Sequence, residues 1–262
     1  MAVAARIPRP LSVRPCLMTA AQPVLARSFV PIEPRLARTI VLYNGLMPRR
    51  ATTSGTRTRT AILHTAADLA SVDGLDGLTI GRLATELAMS KSGLFAHFGS
   101  KEELQLATIE EARHRYAQEV IEPARAAGTG ITRLHALCEA FLSYLERAVF
   151  PGGCFFASAM AEFDSKAPGP VRDRIACCQN QWMTTLEHAA EEAQQHRELT
   201  AATDPRQLAF ELEAALLSAN WYYHLFNDAT YLDRARQTVN ARLASQATPA
   251  GQHLLPSTPR NG

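Results

Sequence analysis

The segment at residues 79–104, TIGRLATELAMSKSGLFAHFGSKEEL, carries helix-start and helix-stop signals at short intervals. Thr79 is positioned to cap a helix, because its hydroxyl can accept a hydrogen bond from a backbone N–H of the first turn. Gly99 interrupts the chain, and Ser100 followed by Glu103 is the capping-box pattern that begins another helix. These signals predict a compact cluster of short helices.

The residues between those signals predict a helix-turn-helix. We expect a first helix at about 79–88 and a second, shorter helix at about 91–97. Ala84 is small, as a close crossing of two helices requires. Ala88 occupies the turn, where motifs of this kind usually have glycine, so the sequence departs from the usual pattern at this residue.

The start of the second helix presents small or basic side chains. In a helix-turn-helix, these N-terminal residues meet base edges in the major groove of DNA. Gly93 costs about 1 kcal/mol of helix stability relative to alanine, but its missing side chain lets a partner approach the backbone closely. We therefore expect four residues to face DNA: Ser90, Lys91, Ser92 and Gly93.

The rest of the chain is predicted to form a series of helices, because alternating β-branched residues are scarce and Ala, Leu, Glu, Gln and Arg dominate. The sequence therefore predicts an all-α fold. Pro123 is expected to end a long fourth helix, since proline breaks helix interiors. The remaining helices are expected at about 58–72, 101–121, 130–149, 153–163, 170–197, 205–226 and 229–245.

The string at residues 79–104 resembles the DNA-binding region of the TetR family of bacterial transcriptional regulators. The usual form of this region ends in LYxHF-x-SK-x-xL, and the present chain has LFAHFGSKEEL. The match covers about residues 57–104, and GGCFFASAMAEFDSKAPGPVRDRI resembles one of the family's C-terminal subtypes. The resemblance implies an N-terminal three-helix DNA-binding domain followed by a helical bundle for ligand binding and dimerisation.

The resemblance also implies roles for individual residues. Lys91, Ser92 and Gly93 occupy positions that contact base edges or the nearby backbone. The positions that contact phosphates are Thr79, Phe95, His97 and Lys101. Phe95 stands where the family usually has tyrosine, so one phosphate hydrogen bond is absent. Compensating contacts to DNA can come from the basic residues of the N-terminal arm, Arg49, Arg50, Arg57 and Arg59.

These observations divide the chain into four predicted segments. Residues 1–46 are rich in arginine and proline and show no helical period, which predicts a disordered extension or a mis-called start; an arginine-rich, acid-poor leader also resembles a mitochondrial transit peptide. Residues 47–104 form the predicted helix-turn-helix DNA-binding domain. Residues 105–246 form the predicted ligand-binding and dimerisation domain, and residues 247–262 are predicted to be a disordered tail.

The resemblance implies a pocket for a small, apolar effector in the C-terminal domain. Aromatic and methionine side chains at helical spacing are the candidate lining, although most such residues in any helical domain belong to the core. The candidates are Phe141, Tyr144, Phe156, Met160, Trp182 and Met183. No cofactor and no metal are expected.

A dimer is required if two short recognition helices are to reach two half-sites of a palindromic operator. The helices at about 205–226 and 229–245 are the candidates for the interface. An apolar stripe with small residues is expected to form it: Leu208, Leu212, Ala215, Leu216 and Ala219. The predicted function is therefore a homodimeric, cytoplasmic repressor that binds double-stranded DNA and is released by a small molecule.

Two other classes of function remain as alternatives. A helical adaptor that binds protein would use the same fold. A metal-dependent enzyme would need more ligands than Glu111 and His114, which have di-iron spacing, because the sequence holds no second such pair. The net charge is only +2, so any contact with DNA must come from a local patch, and no apolar run approaches the ~20 residues that cross a membrane.

Overall fold

The computed structural model describes residues 53–256, and all regular secondary structure in that range is helical. The all-α prediction is confirmed. The predictions made for residues 1–46 lie outside the described range. The helices are α1 (Thr53–Gly77), α2 (Ile80–Glu86), α3 (Lys91–Phe95), α4 (Lys101–Tyr116), α5 (Glu122–Ala127), α6 (Gly130–Glu146), α7 (Phe155–Phe163), α8 (Pro170–Gln195), α9 (Pro205–Phe226), α10 (Thr230–Gln246) and α11 (Pro249–Gln252).

The first four helices enclose a small hydrophobic core of their own. Apolar residues from α1, from α2 and α3 and from the start of α4 are buried together, which fixes the angle between the two helices of the helix-turn-helix. The buried members are Ile62, Ala66, Leu78, Leu83, Leu94, Phe98 and Leu104. Phe98 is 1% exposed, so it belongs to the core.

A π-helical turn at Ala117–Ile121 joins α4 to α5, so the chain stays helical across this boundary. The prediction that Pro123 ends the long helix is therefore wrong. Pro123 is the second residue of α5, directly after the π-helical turn, and the irregular hydrogen bonding of that turn lets the helix continue through a residue that has no N–H to donate. Gly128, with φ 144°, ends α5 instead.

The larger core lies among α4, α6, α7, α8, α9 and α10. α9 packs on α8 and α10, and α7 packs between α1 and α8. Three leucines of the stripe predicted to form the dimer interface lie in this core. Leu208, Leu212 and Leu216 are at most 1% exposed in the single chain, so they cannot form an interface between chains. Ala215 and Ala219, the small residues of the stripe, line a groove between α9 and α10.

The tail departs from the sequence prediction as well. Residues 247–256 of the predicted disordered tail at 247–262 are ordered against the loop after α8. Ala247 forms an isolated antiparallel bridge with Leu199, and the Thr248 N–H donates to the Glu198 carbonyl at 2.9 Å. This order comes from backbone hydrogen bonds to a distant loop, which leave no hydrophobic period in the sequence.

Close contacts join α1 to the loop between α6 and α7. Arg115 of α4 donates to the Asp68 carboxylate at 2.7 Å, and its guanidinium lies 4.0 Å from the centre of the Phe150 ring. The Gly152 N–H donates to the Ser71 hydroxyl at 3.1 Å. A Cβ atom at residue 152 would lie 2.0 Å from the Ser71 carbonyl oxygen, so only glycine fits there.

Candidate functional sites

The predicted DNA-contacting residues are all wholly or partly accessible in the structure. Gly93 and His97 are half-buried. The exposed members are Thr79, Ser90, Lys91, Ser92, Phe95 and Lys101. Phe95 is 53% exposed, which is unusual for a large aromatic side chain and leaves its ring available to a partner.

Three hydroxyl caps hold the ends of α2, α3 and α4 in place. Each hydroxyl accepts a hydrogen bond of 3.1 Å from a backbone N–H of the first turn: Thr79 from Arg82, Ser90 from Gly93 and Ser100 from Glu103. The predicted Thr79 and Ser100 caps are confirmed. The Glu103 carboxylate accepts from the Gly99 N–H at 2.8 Å, one residue before the position that a capping box uses.

The short helix α3 is supported from α1 at its C-terminal end. Arg59 donates to the carbonyl of His97 at 2.6 Å, and its guanidinium lies 4.3 Å from the centre of the Phe98 ring. This geometry makes Arg59 a support for α3, and its expected contact with DNA from the basic arm stays a prediction. The expected contacts of Arg49 and Arg50 lie outside the described residues.

Lys101 is held at the junction between α1 and α4. Its Nζ donates to the Asp76 carbonyl at 2.8 Å and lies 3.8 Å from the Asp76 carboxylate. The same carboxylate pairs with Lys166, and this hydrogen bond is the main reason that the pKa of Asp76 is lowered. Contact between Lys101 and a phosphate would therefore compete with Asp76.

Helix α7 forms hydrogen bonds to the same junction between α1 and α4. The Glu162 carboxylate accepts hydrogen bonds from the Leu75 and Asp76 N–H groups, each at 2.7 Å. Gly74, with φ 78°, turns the chain so that both N–H groups point the same way. The end of α1 is thus attached to α7, and through Asp76 to Lys101.

A cavity of about 20 Å³ lies between α4, α6, α7, α8 and α9, which is room for roughly one water molecule. Four of the predicted effector-contacting residues line it: Phe141, Phe156, Met160 and Trp182. Tyr144 does not line it, and its ring packs behind those of Tyr116 and Phe141.

An open apolar groove of about 400 Å³ lies outside this cavity, between α7 and α8. Met183 lines the groove and not the cavity. Met160 and Gln179 line both spaces, so these two side chains separate the interior from the groove.

The cavity wall also contains a buried acid that was not among the predicted residues. Glu213 of α9 is 7% exposed, and its carboxylate accepts from the Trp182 indole N–H at 2.6 Å and from the Gln179 amide at 2.9 Å. Burial raises the pKa of Glu213, and the two hydrogen bonds oppose that rise. One sign of this position was present in the sequence: Glu213 shares a helical face with Ala209 and Leu216, which are core residues.

A metal site and a reactive thiol are two other kinds of site to consider in the described part of the chain. Across residues 53–256, no group of three His, Cys, Asp or Glu side chains is placed to hold a metal ion, and His114 is exposed. Burial raises the pKa of the Cys178 thiol to about 11, which makes it unreactive at neutral pH. In the same range, no helix has both the length and the hydropathy of a membrane span.

Family models of known proteins match both parts of this architecture. A model described as bacterial regulatory proteins of the tetR family matches residues 62–108, which contain α2, α3 and the start of α4. A model described as a tetracyclin repressor-like C-terminal domain matches residues 130–239. Together they span more than half of the chain. The protein belongs to the TetR family. It is therefore a DNA-binding transcriptional regulator with a ligand-binding C-terminal domain, and not an enzyme.

Solved structures of TetR-family regulators share the fold. A TetR transcriptional regulator from Chloroflexus aurantiacus superposes with a TM-score of 0.70 at 24% identity, over 75% of this chain and 98% of that one. One from Cytophaga hutchinsonii gives 0.67 at 20% identity, over 75% and 98% of the two chains. One from Streptomyces coelicolor gives 0.62 at 21% identity, over 74% and 97%. Among curated protein sequences, none matches.

Proposed function

We propose that this TetR-family regulator is a homodimeric repressor that binds a palindromic operator through α3 and is released by a small molecule bound in the C-terminal domain. The main support for the proposal is that Lys91 and Ser92 are exposed and Gly93 is partly accessible on a helix whose two ends are fixed by Ser90 and Arg59. A rigid, accessible helix of this kind suits direct reading of base edges in the major groove.

The dimer would form through the outer face of α9. Large apolar side chains stand on that face at helical spacing: Phe210 is 63% exposed, Trp221 50% and Leu225 74%. Small residues, including Ala214, line a groove of about 480 Å³ between α9 and α10, which can receive side chains of a second copy. Burying this face in a symmetric interface explains why so many apolar residues remain exposed in the single chain.

Two contacts can carry a change at the cavity to the DNA-binding residues. Tyr116 lines the cavity at one end of α4, and Lys101 begins the other end of the same helix. Met160 lines the cavity on α7, and Glu162, two residues later, holds the N–H groups of Leu75 and Asp76. An effector that moves either helix would change the position of α3, and DNA would weaken effector binding by the same factor.

The test is selection of binding sites from random duplex DNA with the purified full-length protein. An enriched inverted repeat would support DNA binding and two-fold symmetry together. Protein that is folded and dimeric but enriches no sequence would contradict the proposal and favour a protein-binding adaptor.

Single substitutions then test the site on the selected operator. Lys91→Ala should weaken binding by about 1–3 kcal/mol and relax preference at one base position, while His97→Ala should weaken binding evenly across sequences. Arg125→Ala is the matched control, because Arg125 is 64% exposed on α5, outside both the DNA-binding domain and the proposed dimer face of α9. Unchanged binding by both Lys91→Ala and His97→Ala would refute the site.

A further inference from the structure

Glu213 is a buried acid without a basic partner. Among residues 53–256, no Lys, Arg or His side chain forms an ion pair with it. Its two hydrogen-bond donors, Trp182 and Gln179, are both neutral. A buried carboxylate that lacks a cation is unfavourable, and each of its oxygens can accept more than the one hydrogen bond it receives.

Four aromatic rings line the same cavity as Glu213. Tyr116 lies at the centre of the group, with its ring 5.5 Å from that of Trp182, 5.9 Å from Phe156 and 6.4 Å from Phe141, all at steep angles. Aromatic rings attract cations through their electron-rich faces, most strongly where water is excluded. Rings and a carboxylate around one cavity form a site for a positively charged group.

The titratable groups around Glu213 do not supply that charge. Tyr116 of α4, Cys138 of α6 and Cys154 before α7 are the neighbours, and burial raises the pKa of each, so all three are neutral at physiological pH. A cationic ligand would therefore be the counter-charge for Glu213, and an anionic ligand would be repelled by it.

We propose that the effector is an amphiphilic amine or quaternary ammonium compound whose cationic group binds Glu213 within the ring of Tyr116, Phe141, Phe156 and Trp182. This inference rests on the proposed function for the biological role of the site, although the binding itself does not require DNA. The apolar part of the effector occupies the groove between α7 and α8.

The cavity is too small for such a ligand unless a side chain in its wall moves. The interior holds about 20 Å³, whereas the outer groove holds about 400 Å³, and Met160 and Gln179 stand between them. Met160 is a flexible thioether that can change rotamer at low cost. Its displacement joins the two spaces, and a ligand that then shifts α7 would act on the end of α1 through the hydrogen bonds of Glu162.

The experiment compares two soluble probes of matched shape, phenethylamine, which is protonated at neutral pH, and 2-phenylethanol, which is neutral. Binding is followed by tryptophan fluorescence in full-length protein carrying Trp221→Phe, so that Trp182 is the remaining tryptophan. We expect the ammonium probe to bind at least ~10-fold more tightly than the alcohol. Equal affinities, or no saturable binding by the amine, would overturn the proposal.

Two variants test whether Glu213 causes the preference for the amine over the alcohol. Glu213→Gln should abolish the preference for the amine, because the charge is lost while the Gln179 amide can rotate to keep a hydrogen bond. Glu211→Gln, which removes an acid on the same helix but outside the cavity, should retain it. Loss of the preference in Glu211→Gln, or its persistence in folded Glu213→Gln, would show that the amine binds elsewhere and refute the proposal.

The results separate the cation site from the repressor role. If the protein selects an operator and neutral apolar molecules release it, with no preference for the amine, the repressor role is supported and the cation site is refuted. If the protein prefers the amine through Glu213 but selects no operator, the cation site is supported and the repressor role is refuted.

Discussion

Ala88, in the turn of the helix-turn-helix, has φ 49°, a left-handed conformation that costs a residue with a Cβ roughly 1 kcal/mol or more. This explains the usual preference for glycine at such a turn. We predict that Ala88→Gly raises the free energy of unfolding by about 1 kcal/mol. Ala96→Gly is the control: Ala96 is also exposed, but its φ of −64° is helical, so glycine should destabilise there. Urea midpoints at equal slope measure both, and a loss of stability in Ala88→Gly would contradict the prediction.

Glu213 makes stability depend on pH. Because burial raises its pKa, the folded state binds a proton that the unfolded state has released, between the ordinary and the raised pKa. Stability from this group is present below the unfolded pKa and is lost as pH rises through the folded pKa, by at most about 1.4 kcal/mol per pH unit. Glu213→Gln should remove this loss, so its stability relative to the native protein should increase from pH 4 to pH 8. Thermal unfolding across that range is the measurement, and parallel curves would contradict it.

At the scale of the element, α7, like α4, contacts both the cavity and the DNA-binding domain. Glu162→Gln leaves one of the Leu75 and Asp76 N–H groups without an acceptor, which should cost about 1–3 kcal/mol of stability. Asp164→Asn is the control, because Asp164 is exposed at the end of the same helix. Hydrogen exchange at Leu75 and Asp76 should become faster in Glu162→Gln alone, and equal exchange in both variants would count against the role of α7.

Helix boundaries were predictable where a local signal marks them. Asp204 directly precedes Pro205, a combination typical of a helix start, and its carboxylate accepts hydrogen bonds from the Arg206 and Gln207 N–H groups at 2.9 and 3.3 Å. The continuation past Pro123 was not predictable, because a π-helical turn depends on the packing of neighbouring helices and has no side-chain signature. The orientation of α9 was misread for a related reason: both of its faces are apolar, and sequence alone does not tell which one meets the core.

At the scale of the whole molecule, the exposed face of α9 should determine the oligomeric state. Leu225→Asp should weaken the dimer by about 2 kcal/mol or more, because it removes a large apolar side chain and adds a charge to a symmetric interface. Leu254→Asp is the control, since Leu254 is 48% exposed in the tail. Sedimentation equilibrium measures both, and operator binding should fall with dimerisation in Leu225→Asp. A dimer unchanged by that substitution would contradict the proposed interface.

The sequence predicted more of the DNA-contacting surface than of the cavity. The residues proposed to contact DNA could be chosen from the sequence alone, because they lie close together in one short segment with its own caps, and their contacts with DNA stay a prediction. The cavity could be named only in part, since its walls come from five helices and its acid looks like an ordinary surface residue of α9 until the packing is known.

The contact between Gly152 and Ser71 has a consequence for how this protein tolerates change. Two backbones meet there with no side chain between them, so the gap cannot be adjusted by repacking. Any side chain at residue 152 would therefore force the two backbones apart. In a library randomised at residue 152 and selected for a working regulator, glycine alone should survive, although this residue contributes no side chain to either candidate site.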